Sequence, residues 1–149
     1  MADRDVAVGA WESLFRAQVG IMRGLAADWP SREISFNEYD VMFNLSRQSD
    51  WRIRLRELNN HVLLTQPSVS RLIDRLVSRG YVVKVGDPDD RRGAIVELTP
   101  AGFELFRRVA VKHMASITDH IGDALSNDEL KQLTGLCDRL RTGSPRKDR

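Results

Sequence analysis

The side chains best suited to chemistry in this chain lie together in one predicted helix, residues 65–80. A helix of this kind fits the major groove of DNA, where hydrogen-bond donors reach base edges and phosphate oxygens. The same polar face is also typical of a helix that only faces solvent. The donors on the outer side are Gln66, Ser68, Ser70, Arg71, Arg75, Ser78 and Arg79.

Local signals predict where this helix begins and ends. Thr65 can cap its N-terminus, and Pro67 falls in the first turn, where a missing N–H group costs little. Gly80 supplies the left-handed residue that commonly closes a helix. Apolar residues between these signals recur at helical spacing and predict a buried stripe: Val69, Leu72, Ile73, Leu76 and Val77.

Size and composition predict one soluble globular domain. The chain has 149 residues, of which 42% are hydrophobic and 30% charged. No apolar run is long enough to cross a bilayer and no secretory signal is visible, so we expect a cytoplasmic protein with no membrane partner. The single cysteine, Cys137, excludes an internal disulfide.

Positive charge is concentrated in the middle of the chain. The net charge is only +2, yet residues 47–92 hold ten basic and six acidic side chains. Nine of the ten basic residues are arginines, whose guanidinium groups suit phosphates and guanine edges. Such a block indicates that one part of the molecule contacts a polyanion.

Three further helices are predicted before residue 65. The first is capped by Asp3 or Asp5, and the second begins with a capping box formed by Ser35 and Glu38. The third is short and, with the helix at 65–80, forms a predicted helix-turn-helix. The three helices span residues 5–27, 35–46 and 53–61.

A β-hairpin follows Gly80. Its predicted strands cover residues 81–85 and 94–98, which are rich in β-branched side chains. The tip between them carries the charged run 89–92. A hairpin placed directly after a helix-turn-helix predicts a winged helix.

Two helices are predicted after the hairpin. Thr99 and Pro100 start the first, at about residues 101–121, and a capping box at Ser126 starts the second, which ends near Arg141. We expect residues 142–149 to form a flexible tail. The apolar faces of these helices and of the helix at 5–27 fit either an ordinary core or a subunit interface.

Four segments, in this order and spacing, resemble the MarR (multiple antibiotic resistance regulator) family of bacterial transcription factors. They are Gln66–Leu76, Arg79–Val82, Asp90–Arg92 and Leu98–Gly102. The resemblance covers about residues 5–141 and implies a mainly α fold with a small β-hairpin wing. The winged helix-turn-helix would span residues 35–99, and residues 1–30 and 100–141 would form a dimerisation region.

The resemblance also implies a function. The chain would be a sequence-specific repressor in the bacterial cytoplasm that binds double-stranded DNA as a homodimer, with no cofactor. Two-fold symmetry would place the recognition helices ~34 Å apart, on a pseudo-palindromic operator. A small ligand would release the DNA.

Roles in DNA binding follow position by position from this resemblance. The wing's Arg92 would enter the minor groove, and Asp90 would orient it; alternatively, these two residues only stabilise the turn. Asn59 departs from the family, which usually has a small apolar residue there. The remaining candidates, for base edges and phosphates, are Arg54, Gln66, Ser68, Ser70, Arg71 and Arg75.

The effector of such a regulator would be a small aromatic or phenolic anion, bound between the dimer helices and the winged domain. An arginine near aromatic rings suits such a ligand. The same residues also fit an ordinary core with one surface arginine, which is the simpler interpretation. The candidates are Phe15, Arg16, Tyr39, Phe43 and His113.

Other functional classes have weaker support. Cys137 could sense oxidants, although its place on a leucine stripe favours an inert thiol. His113 and His120 lack the spacing typical of helical zinc sites. No motif indicates an enzyme. A protein that coats DNA without a preferred site remains an alternative, to be separated by its ratio of specific to non-specific affinity.

Overall fold

The computed structural model describes residues 2–62 and 66–143, whose helices and strands are named in chain order. These elements are α1 (Arg4–Ala27), α2 (Phe36–Ser46), β1 (Arg52–Arg54), α3 (Leu55–Asn59), α4 (Gln66–Ser78), β2 (Val82–Asp87), β3 (Asp90–Leu98), α5 (Pro100–Gly122) and α6 (Asn127–Thr142). They divide into two compact units. The winged unit comprises Trp29–Lys112, and the helical unit comprises the described residues of Met1–Asp28 and His113–Arg149.

Helix starts lie where the capping signals predict them. The Asp3 carboxylate accepts the amides of Asp5 and Val6 at the start of α1. Ser35 and Glu38 form the predicted capping box of α2, each side chain bonded to the other's backbone N–H at 3.1 Å. Because these signals act within four residues, sequence alone identifies them.

The helix α4 lies against the core of the winged unit. Its stripe is buried at Val69, Leu72, Ile73 and Leu76, whereas Val77 is 38% exposed and was wrongly placed on that stripe. Gly80 adopts φ 79°, as predicted for the residue that closes the helix. The predicted cap, Thr65, and most of the predicted tail lie outside the described residues.

The wing belongs to a three-stranded antiparallel sheet with the order β1-β3-β2. Val82 pairs with Leu98, and β2 and β3 extend further than predicted, which shortens the turn to Pro88 and Asp89. A helix from residue 53 was wrong, because Ile53 lies in β1 and pairs with Val96. Pairing with a strand more than 40 residues away leaves no local signal in so short a segment.

Two contacts fix the first turn of α5. The Thr99 hydroxyl accepts the Gly102 amide at 3.0 Å and donates to the Gly80 carbonyl at 2.7 Å, so one side chain caps α5 and holds the end of α4. Trp51, just before β1, has an unusual φ of 58°. Its ring stacks on Phe103 with 4.4 Å between centroids, which stabilises this strained backbone.

No helix within the described ranges is both long and apolar enough to span a membrane.

Candidate nucleic-acid interface

The outer face of α4 projects away from the core, as the DNA-binding interpretation requires. Arg71 and Arg75 are exposed, and Ser68 and Ser70 are half-buried beside them. Arg71 donates to the Ser68 hydroxyl at 3.4 Å. Both arginines line a groove of about 260 Å³ that also includes Ser35, the N-cap of α2, and Asn37 in the first turn of that helix. The side chain of Gln66, the remaining α4 candidate, lies outside the described part.

Contacts behind α4 hold it in place. Arg79 approaches Glu38 at 3.6 Å and lies over the Tyr81 ring, 5.0 Å from its centroid. The sequence placed Arg79 on the outer donor face, but its guanidinium instead connects the end of α4 to the start of α2. Asp74 pairs with Lys84 of the wing at 3.8 Å. The helix α4 and the wing are therefore parts of one packed unit.

The charged wing tip is only partly arranged as the family resemblance implies. Asp90 accepts the backbone amide of Arg92 at 3.0 Å, which is a turn contact. Its other oxygen lies 4.0 Å from Arg56. Within the described residues no side chain pairs with the Arg92 guanidinium, and the contact between Asp90 and Arg92 is the one that stabilises the turn. The Arg92 side chain is exposed and available to a ligand.

The side chain of Arg54, expected to contact phosphate, is bound to two carboxylates of the hairpin. Its guanidinium pairs with Asp87 at 3.0 Å through Nε and with Asp89 at 2.8 Å through a terminal nitrogen. The Asp87 side chain is almost fully buried, at 2% exposure. The expected phosphate role assumed a side chain free to reach outward, and the sequence contained no signal of these long-range partners.

Two cations near the wing were missed as individual site residues. Arg56 and Lys84 line a groove of about 270 Å³ between α3 and the wing, together with Arg92. The charge asymmetry of residues 47–92 was the signal that included them. Asn59, the departure from the family pattern, also lines this groove, and its side-chain oxygen is buried without a hydrogen-bond partner in the described part.

The five effector candidates do not form one cluster within either unit. Phe15, Arg16 and His113 belong to the helical unit, whereas Tyr39 and Phe43 belong to the winged unit. Tyr39 is buried and stacks on Phe106 at 5.1 Å, so it packs as core, as the simpler interpretation proposed. Phe15, Arg16 and Phe43 are exposed.

Burial sets the ionisation of two of these candidates. It raises the pKa of the Tyr39 hydroxyl, with a smaller contribution from the negative charge of Asp40. It lowers the pKa of His113, because a buried imidazole loses the water that stabilises its charged form. Both shifts favour the neutral form of the side chain.

The part of the chain that the structure describes has no arrangement of side chains typical of a metal site or of a reactive thiol. No group of three or more histidine, cysteine or acidic side chains there is disposed to hold a metal ion. His120 instead contacts Asp28 at 2.7 Å. Cys137 is a half-buried free thiol on α6.

Sequence comparisons match this chain to transcriptional regulators. A model of the MarR family matches residues 33–93. The uncharacterized HTH-type transcriptional regulator YkoM of Bacillus subtilis (strain 168) is 31% identical over 108 residues, which are 71% of this chain and 68% of YkoM. The HTH-type transcriptional regulator PecS of Dickeya dadantii (strain 3937) is 26% identical over 129 residues, 86% of this chain and 77% of PecS.

Solved structures share the fold. AbsC, a MarR family transcriptional regulator from Streptomyces coelicolor, is 26% identical with a TM-score of 0.74, over 95% of this chain and 99% of AbsC. Sco3205 from the same organism, solved with DNA, is 22% identical with a TM-score of 0.77, over 99% and 92%. BpsR of Bordetella bronchiseptica is 22% identical with a TM-score of 0.75, over 89% and 98%. This chain belongs to the MarR family of winged helix-turn-helix transcriptional regulators.

Proposed function

We propose that this regulator is a repressor that binds a pseudo-palindromic operator as a homodimer. The observation that carries the proposal is the exposed arginine face of α4, packed in one unit with a wing that presents Arg92. Membership of the family supports DNA binding, and the structure of Sco3205 with DNA shows the same fold in such a complex. A repressor acts by occupying its operator, which requires only this binding surface.

The side chains divide between positioning and reading roles. Ser68, Ser70 and Arg71, with Gln66, would contact base edges and nearby phosphates, because they lie on the first turns of α4. Arg75, one turn further along, would bind the DNA backbone. Arg92 would insert into the minor groove, where its long side chain and positive charge meet a negative potential.

The homodimer is supported by apolar side chains that the chain alone leaves in water. Exposed patches of this extent on helices typically mark protein–protein contacts. A two-fold axis would then present two copies of α4 to DNA, ~34 Å apart. These side chains lie on α1, α5 and α6: Val6, Trp11, Phe15, Val111, Met114, Leu133, Leu136 and Leu140.

Release by a small ligand is the second part of the proposal. BpsR, with the same fold, is described as regulated in its DNA binding by 6-hydroxynicotinic acid, an aromatic anion. Arg16 and Phe15 are neighbouring exposed residues on α1 and remain our first candidates for binding such a molecule. An oxidant response through Cys137 is the alternative trigger within the same fold.

One experiment tests these statements together. The wild-type protein selects duplexes from a random DNA pool, and the selection is repeated with phenolic and aromatic carboxylate ligands. A palindromic winner that binds at least ~1,000-fold more tightly than random duplex at fixed salt supports the operator model. Equal affinity for all duplexes would instead show a DNA-coating protein, and loss of the winner only with peroxide would indicate an oxidant sensor.

A further inference from the structure

Arg54 lies at the junction between the helix-turn-helix and the wing. It is the last residue of β1 and the first residue before α3. Its guanidinium bonds two carboxylates of the hairpin at once, Asp87 at 3.0 Å and Asp89 at 2.8 Å. A planar guanidinium suits this arrangement, because its donors point in fixed, separate directions. We call these three residues the wing-base cluster.

Asp87 makes this cluster more than a surface ion pair. Its side chain is 2% exposed, and a buried carboxylate requires partners for both of its oxygens. One oxygen accepts the Asp89 amide at 2.9 Å and the other pairs with Arg54. The strand register shifts between Gly86 and Asp87, so the hairpin bends where the carboxylate turns inward.

The sheet is built so that Arg54 can reach across it. In the order β1-β3-β2, the central strand β3 separates Arg54 from Asp87. The β3 residues that line the groove include the small Gly93 and Ala94, which leave room for the arginine side chain. The bond therefore spans the whole sheet and connects its two outer strands.

We propose that Arg54 is a positioning residue for DNA binding, which fixes the direction of the wing through Asp87 and Asp89 and so places Arg92 against the DNA. This inference rests on the proposed function, because it assigns Arg54 an effect only through the wing contact of Arg92. Arg92 follows Asp89 by three residues, so a hairpin that pivots at Asp87 moves this guanidinium. Arg54 itself touches no DNA in this scheme.

The test is a double-mutant cycle on the duplex that the wild-type full-length chain selects from a random pool. Arg54→Ala is expected to weaken binding by about five- to 100-fold, the range for loss of one arginine contact. Arg92→Ala in the Arg54→Ala background is expected to cost less than about twofold more, because the contact is already lost. Hydroxyl-radical protection should disappear at the outer minor-groove positions and persist at the central major groove.

The carboxylates separate positioning from direct phosphate contact. Asp87→Asn and Asp89→Asn each remove a negative charge near DNA, which by charge alone would tighten binding. Positioning predicts weaker binding for both variants. Asp89 is exposed, so Asp89→Asn remains informative if a variant at the buried Asp87 fails to fold, as judged by thermal melting.

Arg52→Ala is the matched control. Arg52 lies on the same face of β1 as Arg54, carries the same charge and has no carboxylate partner within the described ranges. Its loss reports the effect of one positive charge, and coupling to Arg92 is expected only for Arg54. Conservative Arg54→Lys should recover part of the affinity, since an ammonium can pair with one of the two carboxylates.

Additive effects of Arg54→Ala and Arg92→Ala, or tighter binding by Asp89→Asn, would overturn the inference and return Arg54 to a phosphate contact. The salt dependence of DNA binding would overturn it too, if Arg54→Ala lowered that dependence by about one released ion even in the Arg92→Ala background. Failure of the proposed function would give a different result, because the wild-type chain itself would then select no preferred duplex.

Discussion

The proposed role of the wing depends mainly on the exposed side chain of Arg92. We expect Arg92→Ala to weaken operator binding by about 1–3 kcal/mol, because one minor-groove contact is lost. Folding should be unaffected, since the side chain is exposed. Fluorescence anisotropy at constant salt measures the affinity, with Arg47→Ala, another exposed arginine of the winged unit, as control. Equal affinities of wild type and Arg92→Ala would remove Arg92 from the interface.

Gly102 shows how closely α5 approaches the turn after α4. A Cβ atom at this position would overlap the Tyr81 carbonyl oxygen, which belongs to the backbone and cannot rotate away. We therefore expect Gly102→Ala to destabilise the winged unit by about 1–3 kcal/mol or more. Gly86→Ala is the control, because a Cβ there meets nothing within 4 Å. Urea denaturation compares the two, and equal midpoints would contradict the packing described here.

His113 gives stability a defined dependence on pH. Its pKa is lowered in the folded chain by burial, below the value near 6.5 of an unfolded histidine. The unfolded state therefore binds the proton more readily, so this contribution is complete above pH 6.5 and is lost as the pH falls below it. We expect the free energy of unfolding of the wild type to fall more steeply below pH 6.5 than that of His113→Gln. Parallel curves would show that His113 titrates equally in both states.

At the scale of single elements, α2 offers a direct test of a capping box. Ser35→Ala removes the oxygen that accepts the Glu38 amide, and we expect a loss of about 0.5–2 kcal/mol in stability. Ser46→Ala, near the other end of α2, is the control, since among the described residues Ser46 donates only to the Phe43 carbonyl of its own helix. A lower urea midpoint with an unchanged slope is expected for Ser35→Ala, and a larger effect of Ser46→Ala would contradict the assignment.

Elements with local signals are predictable from the sequence. The starts of α1, α2 and α6 follow from side chains that bond amides within four residues, and Pro100 begins α5 as predicted. The β-hairpin follows from its β-branched strands. Each of these signals acts between near neighbours in the chain, so the sequence pattern and the observed element agree.

The failures share a long-range cause. Ile53 lies in a strand because β3 supplies backbone partners, and Arg54 turns to Asp87 across that same strand. No spacing rule links positions 54 and 87, so the sequence offered only an exposed arginine near a helix start. Asp90 is a different case, because its oxygen makes a local bond to the backbone amide of Arg92, which is the turn contact that the alternative interpretation predicts.

At the scale of the molecule, the two units face different tasks. The winged unit buries a continuous apolar core that runs from Ile34 to Ala110. In the helical unit Leu25 is buried, whereas Trp11, Leu136 and Leu140 are at least half exposed. Burying each of these side chains would stabilise a contact by about 1.5–3 kcal/mol. A second copy of the chain is the partner that the proposed two-fold operator requires.

Leu136→Asp tests this homodimer, because a carboxylate in an apolar contact would be buried without a partner. We expect sedimentation velocity to show a species near the chain mass of 16.9 kDa instead of about twice that value. Operator affinity should fall by about 100-fold or more, since a monomer holds one half-site without the linked second contact. Lys131→Asp, an exposed position on another face of α6, should keep both properties. A Leu136→Asp protein that stays dimeric would place the interface elsewhere, and a wild type that is monomeric would refute the two-fold operator model.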